Sequence, residues 1–284
     1  MRMFKISFYY VRKKHNLHLT FQEVNSKKLE NPFIKSKKSI FSDLSENTLK
    51  EIKDQLFDQY AFDYSFSDSL KCFEELKNKS DCTFAKNSKL WGSPLWNAKL
   101  TVKENVQHLI LPSFLIFTNV CDELKLDGFL VQLPGNDYGH DLEIFSKIFF
   151  EILTNLSDFD PKKSKCMREK IESSNWVFEF NKLTFFITTF LPIYPENHSR
   201  YSFGINECFI LFQPEISFAH HNLPHDTPVT NWSHPKTIRD KIRINFKNSN
   251  REYLIRDTVS YPMCHDIIKP IEKNGRIINW WKNY

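Results

Sequence analysis

One α+β domain, a mostly antiparallel sheet flanked by helices, is the fold class this sequence predicts, and three observations predict it. The run Trp176-Val-Phe-Glu-Phe-Asn-Lys-Leu-Thr-Phe-Phe-Ile-Thr-Thr-Phe190 alternates about Asn181-Lys182, the pattern of a two-stranded hairpin. A further apolar strand, Cys208 to Phe212, follows it, and consecutive strands tend to lie side by side. Segments of helical periodicity stand on both sides of this block, and no internal repeat or linker divides the chain. A length of 284 residues is ample for a core that needs no staples.

Taken in order, residues 1–45 read as a basic extension with a strand at Phe4 to Val11, and residues 46–284 as the domain. From Ser45, the residues Leu49, Ile52, Leu56 and Phe57 recur at helical spacing, and Leu70, Phe73 and Leu76 mark a second amphipathic helix. The segment Asp81 to Trp96 is rich in turn formers and aromatics and reads as a wrapped loop, neither helix nor sheet. Its Trp91 and Trp96 either pin it to the core or line a pocket. Phe114 to Phe117 and Gly128 to Leu133 read as short strands, the second ended by Pro134-Gly135. Leu142, Phe145, Phe149, Ile152, Leu153 and Leu156 mark a long helix with Asp137 or Asp141 as its cap. Pro192 and Pro195 close the hairpin. Ser233, followed by Pro235, opens a helix that sets Ile238, Ile242 and Phe246 on one face and Arg239 and Arg243 on another. Tyr261 to Pro270 and Ile277 to Trp281 are apolar enough to dock on the body.

Composition removes several function classes. With 6 Gly in the chain, phosphate-cradling loops are a poor prospect, and no G-x-x-x-x-G-K-[ST], G-x-G-x-x-G, G-x-S-x-G or H-E-x-x-H occurs. The 27 Phe point to bulky cores or aromatic-lined cavities. The six cysteines, at 72, 82, 121, 166, 208 and 264, form no C-x-x-C pair, which fits free thiols in a reducing, cytoplasmic compartment. No apolar run is long enough to span a bilayer, and the N-terminus has charges among its apolar residues and no small-residue cleavage site, so neither a membrane partner nor a secretory signal is expected. The formal net charge is +5, yet residues 1–40 hold ten Lys/Arg against Glu23 and Glu30. The basic excess is therefore an extension and not a stripe across the fold, and nucleic acid is not the expected partner.

The candidate site is Phe209-Ile-Leu-Phe-Gln-Pro-Glu-Ile-Ser-Phe-Ala-His-His-Asn-Leu-Pro-His225, where an apolar strand stops at Pro214 and releases His220, His221 and His225. Arg200, Arg239 and Arg243 flank it. Two cofactor arrangements follow from these residue types. In one, a histidine ligates haem iron, aromatics clamp the macrocycle and the arginines pair with its propionates. In the other, His221, His225 and Asp226 supply two histidines and one carboxylate to non-haem iron. If the chain stays extended past Pro214, His220 shares a face with Ile216 and Phe218; a helical turn instead brings Phe218 and His221 together. Both remain open at this level.

Three stretches carry a resemblance: Phe185-Phe-Ile-Thr-Thr-Phe-Leu-Pro-Ile-Tyr-Pro-Glu-Asn-His-Ser-Arg200, Phe212-Gln-Pro-Glu-Ile-Ser-Phe-Ala-His-His221 and Ile238-Arg-Asp-Lys-Ile-Arg243. With Cys82-Thr-Phe and Asp266-Ile-Ile-Lys-Pro270 as outlying motifs, the chain resembles the YqcI/YcgG family over roughly residues 70–282. The resemblance implies a haem-dependent N-oxygenase fold with a haem b pocket, acting on a guanidine or amine nitrogen of an amino-acid-like small molecule, arginine-like by preference. Its partners are then that substrate, O2, an external electron donor (a reductase or ferredoxin) and, as a further option, a second copy of the chain in a homodimer. Carrying over the family's Ser-Phe-x-x-His pattern selects His221 as the axial ligand, with His220 the alternative and Phe218 beside it. Arg200, Arg239 and Arg243 go to the cofactor, and Glu215 and Cys82 are the catalytic candidates. Glu207, Trp91 and Trp96 are further candidates for holding a guanidinium. The family's helix carries a histidine where this chain has Ser146. The competing expectations are a haem carrier or sensor without turnover, and the non-haem iron enzyme.

Overall fold

A computed structural model of the chain describes residues 45–47, 68–221, 230–251, 253, 262–272 and 275–282. The expected strand at Phe4 to Val11, most of the helix from Ser45, and His225 and Asp226 lie outside these residues. The residues from 68 onward belong to one unit, Tyr64–Tyr284.

Along this unit run α1 (Asp68–Lys79), α2 (Thr83–Asn87), β1 (Leu90–Gly92), α3 (Val102–Asn105), a π-helical turn (Val106–Ile110), α4 (Leu111–Val120), β2 (Gly128–Leu133), α5 (Gly135–Tyr138) and α6 (Leu142–Asp158). They are followed by β3 (Phe178–Phe180), β4 (Leu183–Phe190), β5 (Cys208–Pro214), α7 (Glu215–His220), α8 (Ile238–Asn248) and α9 (Cys264–Ile267). The strands form one sheet in the order β1-β2-β5-β4-β3. Only β1 and β2 pair in parallel; β2 with β5, β5 with β4 and β4 with β3 are antiparallel. This is the α+β class expected, with the hairpin and the Cys208 strand as neighbours.

Both faces of the sheet are covered, which is why the central β5 reads as an unbroken apolar run. On one face Leu130, Phe209 and Leu211 pack with Phe73 and Leu76 of α1. On the other, Phe114 of α4 stands among Phe129, Phe180, Phe185 and Phe212, with ring centroids 4.9–5.2 Å apart.

Two segments differ from expectation. Phe114 to Phe117 is helix and not strand. Residues 111–118 are all buried, so α4 carries neither the polar stripe of a surface helix nor the alternation of a strand, and a short apolar run does not distinguish the two. Just before it the backbone widens: the Leu111 N–H reaches back to Val106 O, and Pro112 next to it has no N–H to continue the ladder. Asp81 to Trp96 is not an irregular loop either. It contains α2 and the edge strand β1, with Trp91 buried in that strand.

The caps explain the remaining starts. Asp141, not Asp137, caps α6, its Oδ1 accepting from the N–H groups of Glu143 at 2.6 Å and Ile144 at 3.0 Å. Helix α8 starts at Thr237 and not at Ser233, because Thr237 and Asp240 form a reciprocal capping box. Ile242 and Phe246 of α8 are buried while Ile238 stays exposed. The C-terminal segments dock as expected: Ile267, Ile268 and Trp280 are buried, and Trp280 Nε1 donates to Cys264 O at 2.8 Å. All six cysteines are free thiols. No helix among the described residues is long and apolar enough to cross a membrane.

The β3–β4 turn holds Asn181 at φ 52° and Lys182 at φ 68°. A two-residue hairpin turn needs positive φ at both positions, which Asn tolerates and Lys does not. Lys182→Gly is therefore expected to stabilise the fold by about 0.5–1 kcal/mol, read as a higher urea midpoint at unchanged slope. A midpoint that stays or falls would show that Lys182 is unstrained there.

Candidate functional site

The central strand delivers the two histidines. Pro214 pairs with Phe185 at the end of the ladder and then serves as the N-cap of α7, whose single turn and a half carries Glu215 to His220. The chain past Pro214 is thus helical, and Phe218 and His221 fall on the same side. Both meet Phe84 of α2, at ring-centroid distances of 5.9 Å and 5.0 Å, and Phe218 also packs on Phe186 at 6.0 Å.

His221 is held by a carboxylate absent from the sequence-level candidates. Its Nε2 lies 2.8 Å from Asp127 Oδ1. Since an ionised carboxylate only accepts, the proton of this pair sits on Nε2. The imidazole keeps 39% of its surface while Asp127 keeps 2%. Asp127 itself is fixed by the backbone where β1 and β2 begin: the Lys89 N–H donates to its Oδ2 at 2.8 Å, and the Asp127 N–H donates to Lys89 O at 2.7 Å. A charge-assisted pair on an immobile carboxylate aims the ring.

His220 is held differently. Its Nε2 lies 2.9 Å from Asp122 Oδ1 and 3.1 Å from Lys125 Nζ, and Asp122 is 60% exposed. The lysine needs the lone pair of Nε2 and the aspartate needs its proton, so the one atom cannot serve both. Its Nδ1 is buried and makes no hydrogen bond among the described residues. Of the two adjacent histidines, His221 is the one with a fixed orientation.

Helix α2 connects this histidine to the arginines. Its N-cap is Cys82, two residues before Phe84. Burial pushes the Cys82 thiol up from its ordinary value, against the N–H groups of Ala85 and Phe84 and the Arg200 and Arg239 guanidinium groups, which pull it down. The thiol is therefore protonated at neutral pH. Arg200 also lies over the Phe190 ring, 5.6 Å from its centroid. Arg243 is 2% exposed, and its guanidinium donates to Thr230 Oγ1 at 3.2 Å.

The other candidates are scattered. Glu215 is exposed and accepts from Thr184 Oγ1 at 2.7 Å. Glu207 accepts from the Gly135 N–H at 3.3 Å. Trp96 packs edge-on against Tyr138 at 6.1 Å, and Trp91 is inside the sheet. Ser146 is buried in α6 and donates to Leu142 O at 2.6 Å. Of the non-haem set, only His221 falls within the described residues, among which no group of three His, Cys, Asp or Glu could hold a metal ion. No local signal singles out Asp127, which stands outside every motif, and Phe84 and Phe186, though inside the stretches that carry the resemblance, are two of 27 phenylalanines with nothing in the sequence to mark them as neighbours of a histidine.

The YqcI/YcgG family model matches residues 66–248. Most of the stretches that carry the resemblance lie inside that range, while Asp266-Ile-Ile-Lys-Pro270 lies beyond it. No curated protein and no solved structure matches the chain. Because the match spans well over half of the 284 residues and contains His221, Cys82 and the arginines Arg200, Arg239 and Arg243, the chain belongs to the YqcI/YcgG family.

Proposed function

We propose that the chain is a haem-dependent N-oxygenase that hydroxylates a guanidine or amine nitrogen of an amino-acid-like small molecule, with His221 as the residue that holds the iron. One observation carries this reading: His221 is oriented by a buried aspartate against Phe84, on the short helix whose N-cap, Cys82, feels both Arg200 and Arg239. These residues fit haem b in kind. Phe84, Phe186 and Phe218 offer apolar walls for a macrocycle, and two guanidinium groups answer its two propionates.

When bound, haem supplies dioxygen activation, in which substrate, O2, two electrons from an external donor and two protons give the N-hydroxy product and water. The chain's part is positional. Asp127 limits the orientations of the His221 ring, and the phenylalanines exclude water from its flank. Cys82, protonated by burial, presents a neutral thiol instead of a competing anionic ligand. Glu215, exposed and tethered by Thr184, is the carboxylate available to a guanidinium.

The test is the absorption spectrum of the protein titrated with hemin. His221→Ala is expected to weaken hemin binding at least tenfold and to shift the Soret band, whereas His220→Ala leaves both nearly unchanged. An identical band and affinity in His221→Ala would remove the ligand assignment. Haem uptake without oxygen-dependent consumption of reductant, across a panel of guanidines and amines, would make the chain a haem carrier or sensor instead.

A further inference from the structure

The pairing that orients His221 also occupies the nitrogen that haem iron needs. A planar macrocycle is crowded at Nδ1, because the side chain's own Cβ stands beside that atom; the outer nitrogen, Nε2, is the less hindered ligand. In this structure Nε2 lies 2.8 Å from Asp127 Oδ1, a hydrogen bond in which the ring nitrogen is the donor when the carboxylate is the acceptor. That contact is not a loose surface pair. Asp127 keeps 2% of its side-chain surface and is pinned through its other oxygen by the Lys89 N–H at 2.8 Å, so it cannot follow the ring outward.

We infer that Asp127 is a built-in competitor for His221, holding Nε2 in the haem-free chain so that iron must displace the carboxylate to bind. The inference rests on haem being the group that His221 takes. For Nε2 to hold iron, the Nε2–H···Oδ1 hydrogen bond would have to open and the ring proton move through solvent to Nδ1, with no change of oxidation state. Asp127 retains its Lys89 donor throughout. Once that hydrogen bond opens, the half-exposed ring at the C-terminal end of α7 has solvent to turn toward, whereas the carboxylate before β2 stays pinned by the Lys89 N–H. The device would make haem uptake slower and weaker than the bare ligand allows, and it would protect the histidine from other metals when haem is absent.

The experiment compares hemin association with the wild-type chain and with Asp127→Asn, by the rise of the Soret band and by equilibrium titration. Asparagine can still accept the Lys89 N–H through its carbonyl oxygen, so the start of the sheet is preserved, and thermal melting checks this. Removing the charge from the competitor is expected to raise both the association rate and the affinity about tenfold. In a His221→Ala background the same substitution is expected to change neither. Hemin binding to Asp127→Asn that is equal to wild type, or weaker, overturns the competition while leaving the haem reading in place. So does an equal gain in the His221→Ala background, because Asp127 would then be acting through another residue. If neither chain takes up hemin, the haem reading falls and the competition falls with it.

Discussion

Phe114→Ala is expected to cost about 4 kcal/mol of folding stability, the largest effect of any single substitution considered for this chain. The ring is fully buried and sits at the centre of an aromatic cluster, 5.0 Å from Phe129, 4.9 Å from Phe180, 5.2 Å from Phe185 and 5.1 Å from Phe212. Those four rings come from β2, β3, β4 and β5, so one helical side chain joins four of the five strands. Truncation removes apolar burial and leaves a cavity that ordered strands cannot collapse around. Urea denaturation followed by tryptophan fluorescence measures the loss. A cost below about 1.5 kcal/mol would mean that the cluster repacks and that α4 does not anchor the sheet.

Acid is expected to act through His198. The ring stacks on Tyr194 at 4.2 Å, and its Nδ1 accepts the Arg200 N–H at 3.0 Å. Burial, with Lys269 and Arg200 as neighbouring cations, pushes it down to about 3. An unfolded histidine titrates near about 6.5. Between these two values the unfolded chain holds a proton that the folded chain refuses, so the contribution to stability is complete above about pH 6.5 and is lost as pH falls toward 3. The slope approaches about 1.4 kcal/mol per pH unit, or about 2 kcal/mol between pH 6.5 and 5. His198→Gln can keep the acceptor for the Arg200 N–H and has no proton to gain. Stability measured at pH 7 and pH 5 should therefore fall less in that variant than in the wild type, by about 2 kcal/mol. Equal losses in both would assign the acid sensitivity to other groups.

The same residue illustrates what local sequence conveys. His198 lies within a motif that suggested the family, yet its burial and its cationic neighbours come from Arg200 on one side and from Lys269, 71 positions away, on the other. Nothing in the local pattern marks a histidine that refuses protons. The hairpin, by contrast, was legible in full, because its alternation and its Asn181 turn are properties of adjacent residues. Helix α6 was legible for the same reason, through apolar spacing and the choice between two nearby aspartates for its cap.

The sequence by itself determined the α+β class, the hairpin and its neighbour β5, the amphipathic helices α1, α6 and α8, and the membership of the family, since each depends on short-range periodicity or an ordered series of motifs. Only the tertiary structure decided that Phe114 belongs to a helix, because a segment buried on every side has no period to read. The resemblance already preferred His221 to His220, but only the tertiary structure decided what each ring meets, a buried Asp127 for His221 and an exposed Asp122 for His220, both on the turn before β2 and more than ninety residues away. Side-chain orientation is set by the partner a residue meets after folding, and that partner is chosen by the strand order of the sheet.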